Sequence, residues 1–218
     1  VDNQSMIIEI FGSKMGNNPN LMAIPMFTFA GFLLAHSKSP YRWVNLGQAV
    51  FGWMPGGLSI AALISCAIFT AFNGASGVTI IALGGIILPL LLKEKYPENF
   101  SLGLLTTSGS MGLLFMPSLP LIVYGIIAKV NITQLFAAGA LPGILLIFML
   151  SLYAMYSARK HSVPRHPFVL NDVKKYLWEA RFEMPFPVII LGGIYSGFFT
   201  VGDAAIVTAV WSIVMTCF

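Results

Sequence analysis

Charge is scarce in this chain. Of 218 residues only 9% are Asp, Glu, Lys or Arg, where a soluble domain carries about 25%. From Trp43 to Leu92 there is none, and from Met184 to Phe218 the sole charge is Asp203. That scarcity, with 57% hydrophobic residues, excludes an ordinary soluble domain and indicates an all-α polytopic membrane protein. Cysteine is nearly absent. Cys66 and Cys217 both lie in apolar stretches, where a thiol behaves as a small hydrophobe rather than as half of a disulfide or a metal ligand. No GxxxxGK[ST] loop is present, so nothing binds ATP by that route. The net charge of +4 does not mark a nucleic-acid binder, because the basic residues sit in short loops between apolar segments, as orientation in a bilayer requires. The first apolar segment follows a polar, non-basic lead and is not expected to be a signal peptide. With Val1 at one end and an apolar stretch stopping at Phe218 at the other, the chain reads as a fragment.

What is present divides into segments. Residues 20–36 are long enough for a span. Residues 37–57 hold Lys38, Arg42, Trp43 and Trp53, an interfacial composition with aromatic anchors. Leu58–Phe72 and Val78–Leu92 are each 15 residues, or roughly 22 Å as helix. A hydrocarbon core is about 30 Å thick. Together the two pieces exceed one span and fall short of two, so 58–92 is expected to be a re-entrant helical hairpin. Its tip is Asn73, Gly74, Ala75, Ser76 and Gly77, good turn formers and poor helix formers. Residues 101–128 carry "MPSLP", whose Pro117 and Pro120 remove backbone donors and disfavour helix ahead of them; a Pro-broken span is expected. Residues 132–156 form a further span with a kink at Pro142. A polar connection, 157–183, holds Arg159, Lys160, Arg165, Lys174, Lys175 and Arg181. Further apolar helices occupy 185–218, with Thr200 and Asp203 spaced as a helix cap and an acid at its third position.

Orientation follows from counting. If 58–92 returns to its own side, then 37–57, 93–98 and 157–183 share one face and hold ten of the twelve basic residues, leaving Lys14 and Lys129 opposite. That asymmetry assigns the three loops to the cytoplasm. Two full spans across 58–92 would keep the same parity, so only length favours the hairpin.

Backbone that leaves a helix at membrane depth must be buried in protein or line a cavity. Two such breaks occur here, at Asn73–Gly77 and around Pro117. Before the second lies "TTSGSMG", which offers the hydroxyls of Thr106, Thr107, Ser108 and Ser110. Carbonyls freed at half-helix ends suit a hard monovalent cation and half-helix N-termini suit an anion, the signature of a secondary transporter. A channel would need a continuous polar path rather than isolated breaks. "GASG", Gly74–Gly77, also fits the G-x-S-G pattern of rhomboid-type intramembrane serine proteases. That chemistry needs an activating His on a later helix, whereas His36 precedes the serine and His161 and His166 fall in the polar connection.

The stretches "LMAIPMFTFAGFLL" (21–34), "FNGASGVTIIALGGIILPLLLKEKYPENF" (72–100), "SLGLLTTSGSMGLLFMPSLPLIVYGI" (101–126), "LFAAGALPGILL" (135–146) and "PVIILGGIYSGFFTVGDAAIVTAV" (187–210) resemble the large membrane subunit of tripartite ATP-independent periplasmic (TRAP) transporters. The resemblance implies two inverted repeats, each with a hairpin and a broken helix, of which this chain holds the first. It implies a permease of the bacterial inner membrane, driven by sodium and without other cofactor. Its substrate would be an organic acid, such as a C4-dicarboxylate or sialic acid, delivered by a periplasmic binding protein, with a small membrane subunit alongside. By the same resemblance, Asn73, Gly74, Ala75, Ser76 and Gly77 form the ion- and substrate-binding tip. Thr107, Ser108, Gly109, Ser110, Pro117 and Ser118 form the matching broken helix. Met116 stands where the family usually has a first proline of Pro-Pro-Ser, Asn73 where it has Thr or Ser, and Asp203 where it has Glu.

Overall fold

In a computed structural model that describes residues 19–164 and 167–217, the apolar stretches are helical. Helix α1 (Pro19–Ala35) and helix α2 (Ser39–Phe51) meet at a bend of 71°. Ser37 turns that corner: its hydroxyl donates to Leu34 O and accepts from Ser39 N. Pro40 falls in the first turn of α2, where its missing donor costs nothing. Then follow α3 (Gly57–Asn73), α4 (Ser76–Lys93), α5 (Glu98–Met111), a 3-10 turn (Gly112–Leu114), α6 (Leu119–Ala128), α7 (Ile132–Lys160), α8 (Leu170–Glu179), α9 (Pro185–Tyr195) and α10 (Val201–Cys217). Among the described residues, α4, the run Glu98–Ala128 and α7 are long and apolar enough to cross a membrane, with a fourth span if α1 and α2 count as one. The chain is a multi-pass membrane protein.

At the centre lies α3, which buries every residue except Ile64 and Ile68. Its small residues let neighbours come close, as membrane helices require when lipid is as apolar as leucine. A Cβ on Gly47 of α2 would lie 2.9 Å from Ala61 Cβ. Helix α1 packs along α10 and touches α3, while α5 packs on α3 and α4 and buries Ser101, Leu104, Leu105, Ser108 and Met111. Helix α7 lies outermost and exposes Leu141, Ile144, Leu145, Phe148, Met149 and Leu152.

Several boundaries differ from those expected. Helices α3 and α4 extend to Asn73 and back from Ser76, so the break is Gly74–Ala75 alone. Helix α4 thus reaches 18 residues, about 27 Å. Length no longer separates a re-entrant pair from two spans. Helix α7 runs on to Lys160, which brings Arg159 and Lys160 into its last turn, where cations complement the helix dipole. The 157–183 connection contains α8 and ends on Glu183, only 2% exposed. Glu183 Oε1 accepts from Arg42 Nη1 at 2.6 Å and from Ser39 Oγ at 3.1 Å, tying α2 to the entry of α9. The cap at Thr200 forms as expected: Asp203 Oδ2 accepts from Thr200 N (3.1 Å) and Oγ1 (2.7 Å), and Asp203 N donates back to Thr200 Oγ1 (3.2 Å).

Candidate functional site

The first break is a glycine turn. Gly74 adopts φ +66°, the left-handed conformation that ends helices cheaply only without a Cβ, and its N–H donates to Thr70 O at 2.7 Å. Ala75 is extended and α4 restarts at Ser76. Asn73 does not cap this turn. Its side chain is buried, its Nδ2 has no partner among the described residues, and Gly31 of α1 seats on its Cα and Oδ1 so closely that a Cβ at position 31 has no room.

The second break follows the 3-10 turn, where Phe115–Ser118 leave the helix and both end residues are extended. Pro117 lies in this unwound stretch. Pro120 sits in the first turn of α6 and starts that helix rather than interrupting it.

The two breaks touch. A Cβ on Gly74 would collide with the side chain of Leu119, the first residue after the second break. Gly112 lies on Thr70 and the Ala67 carbonyl of α3, and Gly109 on Ile80 and, at 3.5 Å from its would-be Cβ, Ser76 O. The C-termini of α3 and α5 and the N-termini of α4 and α6 therefore gather in one region. Freed carbonyls and freed N–H groups lie side by side there, a combination suited to a cation and an anion together.

Of the residues expected at the site, Asn73, Gly74, Ala75, Ser76, Gly109, Pro117 and Ser118 fall at or beside this junction. Gly77 opens onto free space, so packing does not demand glycine there as it does at Gly74. Ser108 is buried, donates to Leu105 O and lies against Cys66. Thr107 and Ser110 point away from α3: both are exposed and return their hydroxyls to Gly103 O and Thr106 O of their own helix. Thr70 escaped the sequence reading. It is fully buried one turn before Asn73, and its Oγ1, like Ser118 Oγ, has no partner among the described residues. Leaving such a hydroxyl buried and unpaired costs about 1–3 kcal/mol. The available signal was its spacing, three residues before Asn73 in the charge-free run.

No serine-protease pair forms among the described residues. His36 Nδ1 faces Phe32 O and His161 Nδ1 faces Ser157 O; His166 lies outside the described residues. Nor does any group of three or more His, Cys, Asp or Glu side chains come together among them as a metal site would need.

The chain is 36% identical over 193 residues to a C4-dicarboxylate TRAP transporter large permease protein of Vibrio cholerae, covering 88% of this chain and 43% of that protein. It is 34% identical over 197 residues to an ectoine/5-hydroxyectoine TRAP transporter large permease protein of Ruegeria pomeroyi, covering 90% and 46%. An isethionate TRAP transporter permease protein of Oleidesulfovibrio alaskensis is 32% identical over 201 residues, covering 91% and 32%. The chain thus spans less than half of each of these relatives, all named as transporter permeases and none as an enzyme. The sequence profile of the tripartite ATP-independent periplasmic transporter, DctM component, matches residues 5–218, nearly the whole chain, and the protein belongs to that family of TRAP transporter large permeases.

Proposed function

We propose that this chain forms the first inverted repeat of a sodium-coupled permease of the bacterial inner membrane. The permease takes up a small organic acid from a periplasmic binding protein and works beside a small membrane subunit. One observation carries this reading: two helix breaks meet at a junction where Thr70 Oγ1, Ser118 Oγ and Asn73 Nδ2 are buried and, among the described residues, unpaired. The hydroxyl oxygens are acceptors suited to a sodium ion, and the amide N–H of Asn73 is a donor suited to a carboxylate. The relatives' names, spanning C4-dicarboxylates, ectoines and isethionate, agree with a small polar solute.

The same contacts support a re-entrant α3–α4 pair. The second break falls near the middle of the 31-residue run Glu98–Ala128. If that run crosses the membrane, its break lies at mid-depth, and the Gly74 tip that touches it lies there too. Helices α3 and α4 then enter and leave on one side, with 37–57, 93–98 and 157–183 cytoplasmic.

The test is uptake by the full-length permease, reconstituted in proteoliposomes with its small subunit and binding protein. Replacing sodium by potassium should abolish uptake. Thr70→Val and Ser118→Ala should each raise the half-saturating sodium concentration by about tenfold, the loss of one charge-assisted contact. Uptake that persists in potassium, or an unchanged sodium dependence in both variants, overturns the reading.

A further inference from the structure

Helix α8 has a face that none of the other described elements covers. Leu170, Lys174, Leu177 and Trp178 recur at i, i+4, i+7 and i+8, so they lie on one side of the helix, and all four are exposed, Trp178 by 69%. Val173 and Tyr176, on the adjoining side, are half-buried where α8 packs on α2. Asp172 and Glu179 fall on the side away from the stripe. Flanking the helix, Phe168, Val169 and Phe182 are exposed as well. The Arg181 guanidinium is stacked between rings, 4.8 Å from Trp178 and 4.7 Å from Phe182, and makes no ion pair among the described residues. Beside it opens a cavity of about 250 Å³ lined by Arg42, Trp178, Glu179, Arg181, Phe182 and Trp211.

We infer that α8 lies in the plane of the membrane surface and binds anionic phospholipid headgroups. Three observations select this occupant. Apolar, aromatic and basic side chains alternate on one stripe, the pattern of an interfacial amphipathic helix with snorkelling lysine. The helix lies between two apolar helices in the chain, α7 ending at Lys160 and α9 starting at Pro185, which keeps it within a short reach of the membrane fold. The charge is complementary: Lys174 on the stripe and Arg181 just beyond the helix face an anionic leaflet, each worth about 1 kcal/mol of attraction. Arg181, packed against two rings, lines the cavity where a headgroup phosphate would sit. Glu179 beside the cavity disfavours a free dianion there, whereas the single negative charge of a lipid phosphodiester, anchored by its chains, tolerates one carboxylate neighbour. The inference rests on a membrane-spanning fold and not on the transport reading.

The experiment is amide hydrogen exchange over residues 168–182 of the full-length permease in nanodiscs. Discs of phosphatidylcholine alone are compared with discs containing phosphatidylglycerol. Phosphatidylglycerol should slow exchange, and Lys174→Glu or Arg181→Glu should each reduce that slowing by at least about fivefold, the loss of one basic residue at an anionic surface with a repelled carboxylate added. Trp178→Ala should speed exchange in both lipids. Equal protection in both lipids would mean that a protein surface covers the stripe and would overturn the inference. So would protection in phosphatidylcholine discs that inorganic phosphate alone restores, or a lipid response that survives both charge reversals. A spin label at position 177 supplies an independent check: it should sit at headgroup depth, and a label exposed fully to water is the contrary result.

Discussion

Helices α3 and α7 are both apolar enough for a membrane interior, yet they live in different solvents. Helix α3 buries all but Ile64 and Ile68, and nine of its 17 residues are Ala, Ser, Cys, Thr or Gly, with Leu63 fully buried among them. Helix α7 buries only Ile132, Phe136, Gly143, Ala154, Ser157 and Ala158, and offers Leu, Ile, Phe and Met outward. Hydropathy alone does not distinguish them. Side-chain size does, because helix association in lipid gains little from apolarity and much from close approach. The central helix is the richer in small residues, and its Leu58, Ile60, Leu63, Phe69 and Phe72 are buried where those of α7 are largely outward.

The comparison can be broken most sharply by truncation. Leu63→Ala should lower stability by about 2–5 kcal/mol, since no lipid can refill the gap. Leu145→Ala on α7 should stay within about 0.5 kcal/mol. Unfolding of purified permease in detergent reads both, and equal losses would mean α7 is enclosed too. Adding bulk gives the next largest effect. Gly112→Val drives a side chain into Thr70 and the Ala67 carbonyl and should cost about 1–3 kcal/mol. Gly85→Ala on the open side of α4, where nothing lies within 4 Å, should instead stabilise by about 0.5–1 kcal/mol.

A smaller effect is expected inside α3 itself. Thr70→Val keeps the shape and removes a hydroxyl unpaired among the described residues, so it should stabilise the sodium-free protein by about 1 kcal/mol while moving the sodium-induced stabilisation to about tenfold higher sodium. Thermal melts across a sodium titration decide it, and a midpoint in sodium unchanged in the variant would exclude Thr70 from the ion site. The smallest change belongs to the end of α7, where Asn131 Oδ1 accepts from Thr133 N at 2.9 Å and Gln134 N at 3.4 Å. Asn131→Gly should cost roughly a few tenths of a kcal/mol, visible as fraying by hydrogen exchange at residues 132–135.

Both helix breaks were legible because glycine and proline act locally: Gly74 supplies the left-handed turn and Pro117 cannot continue a helix. The cap at Thr200 and Asp203 was legible for the same reason, since its partners are three residues apart. Facing was not. Ser108 and Ser110 look alike in sequence, and only the position of α3 tells which is buried. Thr70 was hidden because a threonine in an apolar helix ordinarily bonds its own backbone, as Thr208 does to Ala204 O at 2.6 Å; that Thr70 does not is visible only in three dimensions. The true ends of α3 and α4 were missed because a single left-handed glycine suffices to turn the chain, leaving Asn73, Ser76 and Gly77 free to join helices.

The Arg42–Glu183 pair bears on how the protein is made. Its partners are 141 residues apart, so at about 5–20 residues per second Arg42 emerges roughly 7–28 s before its carboxylate exists. Over that interval α2 has only water and headgroups for its guanidinium and must wait at the surface while the helices between are inserted. The closing of this pair is thus a late step of biogenesis. In nascent chains arrested before residue 183, α2 should still be open to protease when α3 is already protected.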